Sequence, residues 1–274
     1  MTALTKLAAL AALLLAPAAW AAPVVLTFES AGANAAAITP TRDAFRAAIG
    51  GGTVAGANGS FGGSRREINW DGVPDNRSDP NALPANFFNV NSPRGAVFST
   101  PGTGFLVSAN AGLATPILFG FASDFQTFSA QRLFTAVNSN ITDVHFFVPG
   151  TTTAATTSAF GVIFTDVEVA DLTRLEFFDA SNALIYSHNA LVAGNQGLSF
   201  LGATVSGGAI SRVRITSGLN TIVSNGVLGN PNNDIVVMDD FLFAEPIPEP
   251  SSLALAGLGL IAGLAMPRRR RRAV

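Results

Sequence analysis

The chain has 274 residues, 48% hydrophobic and only 12% charged, with no cysteine and a formal net charge of −2. The absence of cysteine excludes disulfides, thiol catalysis, iron–sulfur clusters and Cys-based zinc sites. Setting aside Lys6, Glu249 and Arg268–Arg272 takes 16 basic and 18 acidic residues to 10 and 17, so the segment between carries about −7, with no lysine and no basic cluster. Such a segment is not a nucleic-acid binder.

The N-terminal 21 residues combine Lys6, an apolar run from Leu7 to Ala19 and the small-residue triplet Ala19-Trp20-Ala21. That three-part pattern predicts a signal peptide, cut by signal peptidase after Ala21 or Ala22. Val24–Phe28 then reads as a first strand. One helix is expected over Thr41–Ile49, opened by Pro40 and stopped by Gly50-Gly51-Gly52. From Gly50 to Pro93 the Gly-, Asn-, Asp- and Pro-rich composition predicts a long loop region or insertion. Strands follow at Gly95–Phe98, Phe105–Ser108, Ile141–Val148 and Phe160–Val169. Leu172–Phe178 and Ala183–Tyr186 flank the turn Asp179–Asn182 and predict a hairpin. Ile210–Ile215 alternates, with Val213 and Ile215 on one face and Arg212 and Arg214 on the other. Asp234–Phe243 closes the series. These elements predict an all-β domain over 22–245, an antiparallel β-sandwich of jelly-roll type, large enough to fold without disulfides.

At the C-terminus Pro246-Ile247-Pro248-Glu249-Pro250 precedes Ser251-Ser252, a 14-residue apolar run from Leu253 to Met266, and Arg268–Arg272. As a helix the run reaches about 21 Å, short of a hydrocarbon core of about 30 Å, so it predicts a marginal, transient membrane helix. The arginines resist translocation and stay cytoplasmic, leaving the domain outside. Pro248, Glu249 and Pro250, the short apolar helix and Arg268, Arg269, Arg270, Arg271 and Arg272 together resemble the PEP-CTERM sorting signal over 246–274. The resemblance implies recognition by exosortase, a membrane peptidase. It also implies an inner-membrane intermediate and a final place at the cell surface or in the extracellular matrix. An ordinary single-span anchor is the competing reading. Gly161–Val167, Leu175–Asp179, Gly197–Gly202 and Val237–Phe241 also resemble a module found in PEP-CTERM proteins, which implies export and a β-sandwich but no activity.

Signals for chemistry are sparse. Gly-x-Ser-x-Gly, Ser-x-x-Lys and His-Glu-x-x-His are all missing, and the two histidines, His145 and His188, sit in strand contexts. Glu29 ends the first strand, and Asp239 and Asp240 lie in the last. They are the candidate Ca²⁺ ligands by similarity to jelly-roll binding modules, in which a first-strand Glu and a last-strand Asp meet to hold this cation of six to eight oxygens; the competing reading is strand-end surface charge. Period-two alternation lets only one of Asp239 and Asp240 face inward. Asp71, Asp75 and Asp79 are spaced by four and do not make an EF-hand start. Trp70, between Asn69 and Asp71, is the candidate for stacking an extracellular polysaccharide, against the alternative of a loop ring folded onto the core. The sequence therefore favours a non-enzymatic surface or matrix cargo with a structural or binding role. A Ca²⁺-stabilised carbohydrate-binding module comes second and an extracellular hydrolase third.

Overall fold

The computed structural model describes residues 23–51, 64–109, 118–206, 209–223, 226–228 and 234–249. Residues 1–21, Pro250, the apolar run 253–266 and Arg268–Arg272 lie outside them. Among the described residues no helix is long and apolar enough to cross a membrane.

The protein is mostly β. Strand β1 (Val24–Gly32) leads into helix α1 (Ala35–Ile49), then β2 (Arg65–Ile68) and the single-turn helix α2 (Phe87–Val90). Next come β3 (Ala96–Ser99), β4 (Gly104–Val107), β5 (Phe134–Val137), β6 (Ile141–Phe146), β7 (Ala155–Thr156) and β8 (Ala159–Thr165). The chain continues through β9 (Arg174–Phe178), β10 (Leu184–Asn189), β11 (Leu198–Ser206) and β12 (Arg212–Thr216). It ends with β13 (Thr221–Val223), β14 (Gly226–Leu228), β15 (Val237–Ala244) and β16 (Ile247–Pro248).

Nine strands make one sheet along the path β1-β11-β8-β15-β5-β13-β14, with β2 joined to β15 and β4 to β5. Five make a second, in the order β10-β9-β12-β6-β3. The largest apolar cluster takes Phe134, Phe160, Val162, Phe164, Leu201 and Phe241 from the first sheet. Phe98, Val144, Phe146, Phe177, Val213 and Ile215 come from the second. Each such buried side chain contributes about 1.5–3 kcal/mol relative to exposure. The alternation in β12 gives the intended faces: Val213 and Ile215 are fully buried, whereas Arg212 and Arg214 are only half-buried. The hairpin is also present, and Asp179 Oδ1 accepts from the backbone N–H groups of Ser181 and Ala183 to fix its turn.

Helix α1 covers the other face of the nine-stranded sheet. Its Ile38 and Phe45 bury against Ala159, Ile163, Leu198, Phe200 and Leu242. Phe45 fits because Gly161 and Gly202 are paired directly across β8 and β11. A Cβ on Gly161 would stand 2.8 Å from Phe45 Cε1, so the two glycines form the notch that receives the ring. The helix starts six residues before the predicted position. Asn34 Oδ1 accepts from the Ala37 N–H at the N-cap, and Pro40 lies inside the helix rather than opening it.

The segment from Gly50 to Pro93 is not simply a loop. All four residues of β2 are buried, including Arg65, Arg66 and Glu67, and the strand pairs with β15. Its charges survive burial because each is paired. Arg65 Nε meets Glu67 Oε1 at 2.6 Å, Glu67 is also held by Arg46, and Arg66 grips Glu245.

Candidate functional site

The two sheets meet edge to edge at β1 and β10. There Thr27 Oγ1 and Tyr186 OH lie 3.1 Å apart, and Glu29 Oε2 lies 2.8 Å from His188 Nε2. Glu29 is thus a latch between sheets. It faces Leu201 on β11, which faces Val162 on β8, which faces Phe241 on β15. Three strand spacings, about 14 Å, therefore separate it from the level of Asp239 and Asp240. The expected convergence of these three carboxylates does not occur, and among the described residues no three His, Asp or Glu side chains come together as a metal site.

Asp239 and Asp240 themselves are adjacent and both buried, at 0% and 5% exposure, which corrects the expectation that one faces solvent. The cause is a bulge. Met238 pairs with Phe164 and Phe241 with Val162, so three steps along β15 match two along β8. The extra residue breaks the period-two alternation. Trp70 Nε1–H donates to the Asp239 carbonyl at 2.7 Å, giving it a partner within the bulge. The carboxyl groups share Ser129, whose Oγ lies 3.1 Å from Asp239 Oδ1 and 2.9 Å from Asp240 Oδ1. The Phe128 N–H donates to Asp239 Oδ2 at 2.6 Å.

Burial, then the charge of Asp240, pushes the Asp239 carboxyl well above the usual range, and the two carboxyls are hydrogen-bonded to each other. Burial raises Asp240 as well, opposed by hydrogen bonds from Asp239 and Ser129. Beside the pair, burial lifts Asp71 to about 6, against the Arg132 N–H that it accepts at 3.1 Å. This is a proton-sharing carboxyl pair with its polar atoms turned inward. Those residues do not fit the Ca²⁺ cage that the sequence suggested.

Trp70 is likewise placed otherwise than a sugar platform requires. It is 1% exposed, stacked on Phe134 at 4.1 Å with an interplanar angle of 1°, and met edge-on by Phe88 and Phe241. The ring is the one folded onto the core, the alternative that the sequence also offered, and its donor serves the bulge.

The sorting joint is held against the domain. Arg66, 1% exposed, donates Nε and Nη2 to Glu245 at 2.5 and 2.7 Å. Pro246 is buried beside Gly95, and β16 pairs antiparallel with β7 through Ile247 opposite Thr156 and Pro248 opposite Ala155. Glu249 extends this contact: its N–H donates to the Ala154 carbonyl at 3.5 Å, and Ser211 Oγ donates to its Oε1 at 3.3 Å. Sequence reading identified Pro248 and Glu249 but not Glu245, Arg66, β7 or Ser211; Arg66 lies 179 positions from the Glu245 that it holds.

No curated protein matches the chain. Residues 246–271 match the family model of the PEP-CTERM protein-sorting motif. That motif implies processing by exosortase, a membrane peptidase, and export to the cell surface or beyond. The match begins at residue 246, between β15 and β16, so the chain carries the PEP-CTERM protein-sorting motif at the end of its folded domain.

Proposed function

We propose that the protein is a non-enzymatic cargo of the exosortase pathway, acting at the cell surface or in the extracellular matrix by structural association or ligand binding. The observation that carries this reading is the direct junction between a folded β domain and the sorting motif at 246–271. In this reading the domain is a jelly-roll sandwich formed by the nine- and five-stranded sheets. The signal peptide 1–21 and the apolar run 253–266 act in turn, the second holding the chain transiently in the inner membrane with Arg268–Arg272 inside. The role assigned to the domain is supported by where its acidic groups go. Asp239 and Asp240 bond inward, and Glu29 joins the two sheets.

Intact-mass measurement of the protein in membrane, surface and medium fractions of its native host tests the reading. The expected product lacks the first ~21 residues and everything past the Pro-Glu-Pro joint. A full C-terminus retained in the membrane would make the tail an ordinary anchor and defeat the sorting assignment.

A further inference from the structure

Beyond sorting, the domain contains a pocket whose chemistry defines a ligand class. The pocket measures about 210 Å³ and lies between the segment around Trp70 and helix α2. Trp70, Val73, Phe87 and Phe88 supply apolar walls, Gly72 an open stretch, and Arg94 a guanidinium.

Arg94 has an unusual position among the cations. Of the ten arginines in the described residues, eight form ion pairs with carboxylates. Arg77 is exposed to water. Arg94 is half-buried and has no carboxylate partner among the described residues. Its Nε donates to the Glu67 carbonyl at 2.7 Å and its Nη1 to Ser92, while Cζ sits 5.5 Å from the Phe88 ring centroid. The nearby acids are committed elsewhere: Glu67 to Arg46 and Arg65, Glu245 to Arg66. Burial, and then the charge of Arg66, lowers the Arg94 pKa, which is the response of a desolvated cation lacking a counter-charge.

We infer that this pocket binds a small organic carboxylate, with a small aromatic or aliphatic body beside Phe87 and Phe88 and the carboxylate on the Arg94 guanidinium. The planar fork of arginine matches a carboxylate geometrically, and a charge-assisted hydrogen bond in a partly dry site is about twice as strong as a neutral one. The volume limits the ligand to small molecules, since drug-sized sites begin near 300 Å³.

Calorimetric titration of the protein recovered from its host, with benzoate, hexanoate and the neutral isostere benzamide, tests the inference. Benzoate or hexanoate should bind saturably, with benzamide at least about tenfold weaker. Arg94→Met should weaken the carboxylate about tenfold or more, with Arg94→Lys intermediate. Gly72→Leu provides a check that leaves the guanidinium in place. Gly72 lines the pocket and a Cβ there meets no atom within 4 Å, so a leucine adds bulk at the pocket without disturbing the core. This variant should keep the wild-type unfolding midpoint and lose benzoate binding, and it decides the matter if Arg94→Met does not fold. Three results overturn the inference: no saturable heat from either carboxylate up to about 10 mM, equal affinity in Arg94→Met, or undiminished binding in Gly72→Leu. None of these depends on the sorting tail, so loss of exosortase processing would leave the pocket assignment standing.

Discussion

Two buried carboxylate sites in this domain solve the same electrostatic problem in opposite ways. On the outer face of the five-stranded sheet, Asp143 is clasped by Arg212 Nη1 at 2.9 Å and by Arg214 Nε and Nη2 at 2.9 and 2.8 Å. Burial pushes its pKa up, but the two guanidiniums outweigh that and hold it below the usual range. At the β15 bulge, Asp239 and Asp240 have no arginine at hydrogen-bonding distance among the described residues and keep a proton between them instead. A guanidinium preserves the charge; a shared proton removes it. The choice sets how each region responds to pH and to substitution.

The most disruptive way to break this comparison is to remove the support of the bulge. Trp70→Ala deletes the stack on Phe134 and the donor to the Asp239 carbonyl. It should cost about 3–5 kcal/mol of unfolding free energy in a denaturant titration. Asp143→Asn should cost less, about 1–2 kcal/mol at neutral pH, because its partners are partly solvated. Its depressed folded pKa means that the contribution is present above the unfolded value of about 3.9 and fades as pH falls through the folded one. The difference between wild type and Asp143→Asn should therefore shrink in acid. Asp239→Asn should have the smallest effect, within about 0.5 kcal/mol at neutral pH, since an amide replaces a carboxyl that is already neutral. The sign of the pH effect is reversed here. A raised folded pKa gives stability that is complete below about pH 3.9 and is lost as pH rises toward the folded value. Asp71, raised to about 6, acts in the same direction between about pH 4 and 6. A flatter acid-side profile in Asp239→Asn would support the shared proton, whereas a large loss at neutral pH would show that Asp239 is charged.

The sequence reveals what is local. Alternation in Arg212–Thr216 and the Asp179 turn each depend on neighbouring residues, and both are found where the pattern puts them. The bulge at Asp239–Asp240 was not legible, because it exists only relative to β8, whose residues lie some 75 positions earlier. The strand Arg65–Ile68 was not legible inside the stretch read as a long loop region, since three of its four residues are charged. Burial is possible there only because Arg46 and Glu245 arrive from distant elements to neutralise them. Trp70 shows the same limit: its polar neighbours describe the segment, and of the two readings open for its ring the structure gives the one folded onto the core. The sorting motif was the most legible feature, since its parts are contiguous and read by order alone.

The pairing of β16 with β7 also fixes a length. With Glu249 held on the domain, only Pro250, Ser251 and Ser252 separate it from the apolar run beginning at Leu253. Three residues span at most about 10 Å when fully stretched. In the proposed membrane-held intermediate this is a leash shorter than the domain is wide. The body must rest on the lipid surface, or the β16 clasp must unzip to give the peptidase room to reach the joint. In that proposed intermediate the pairing of β16 with β7 would set how far the cargo stands from the membrane.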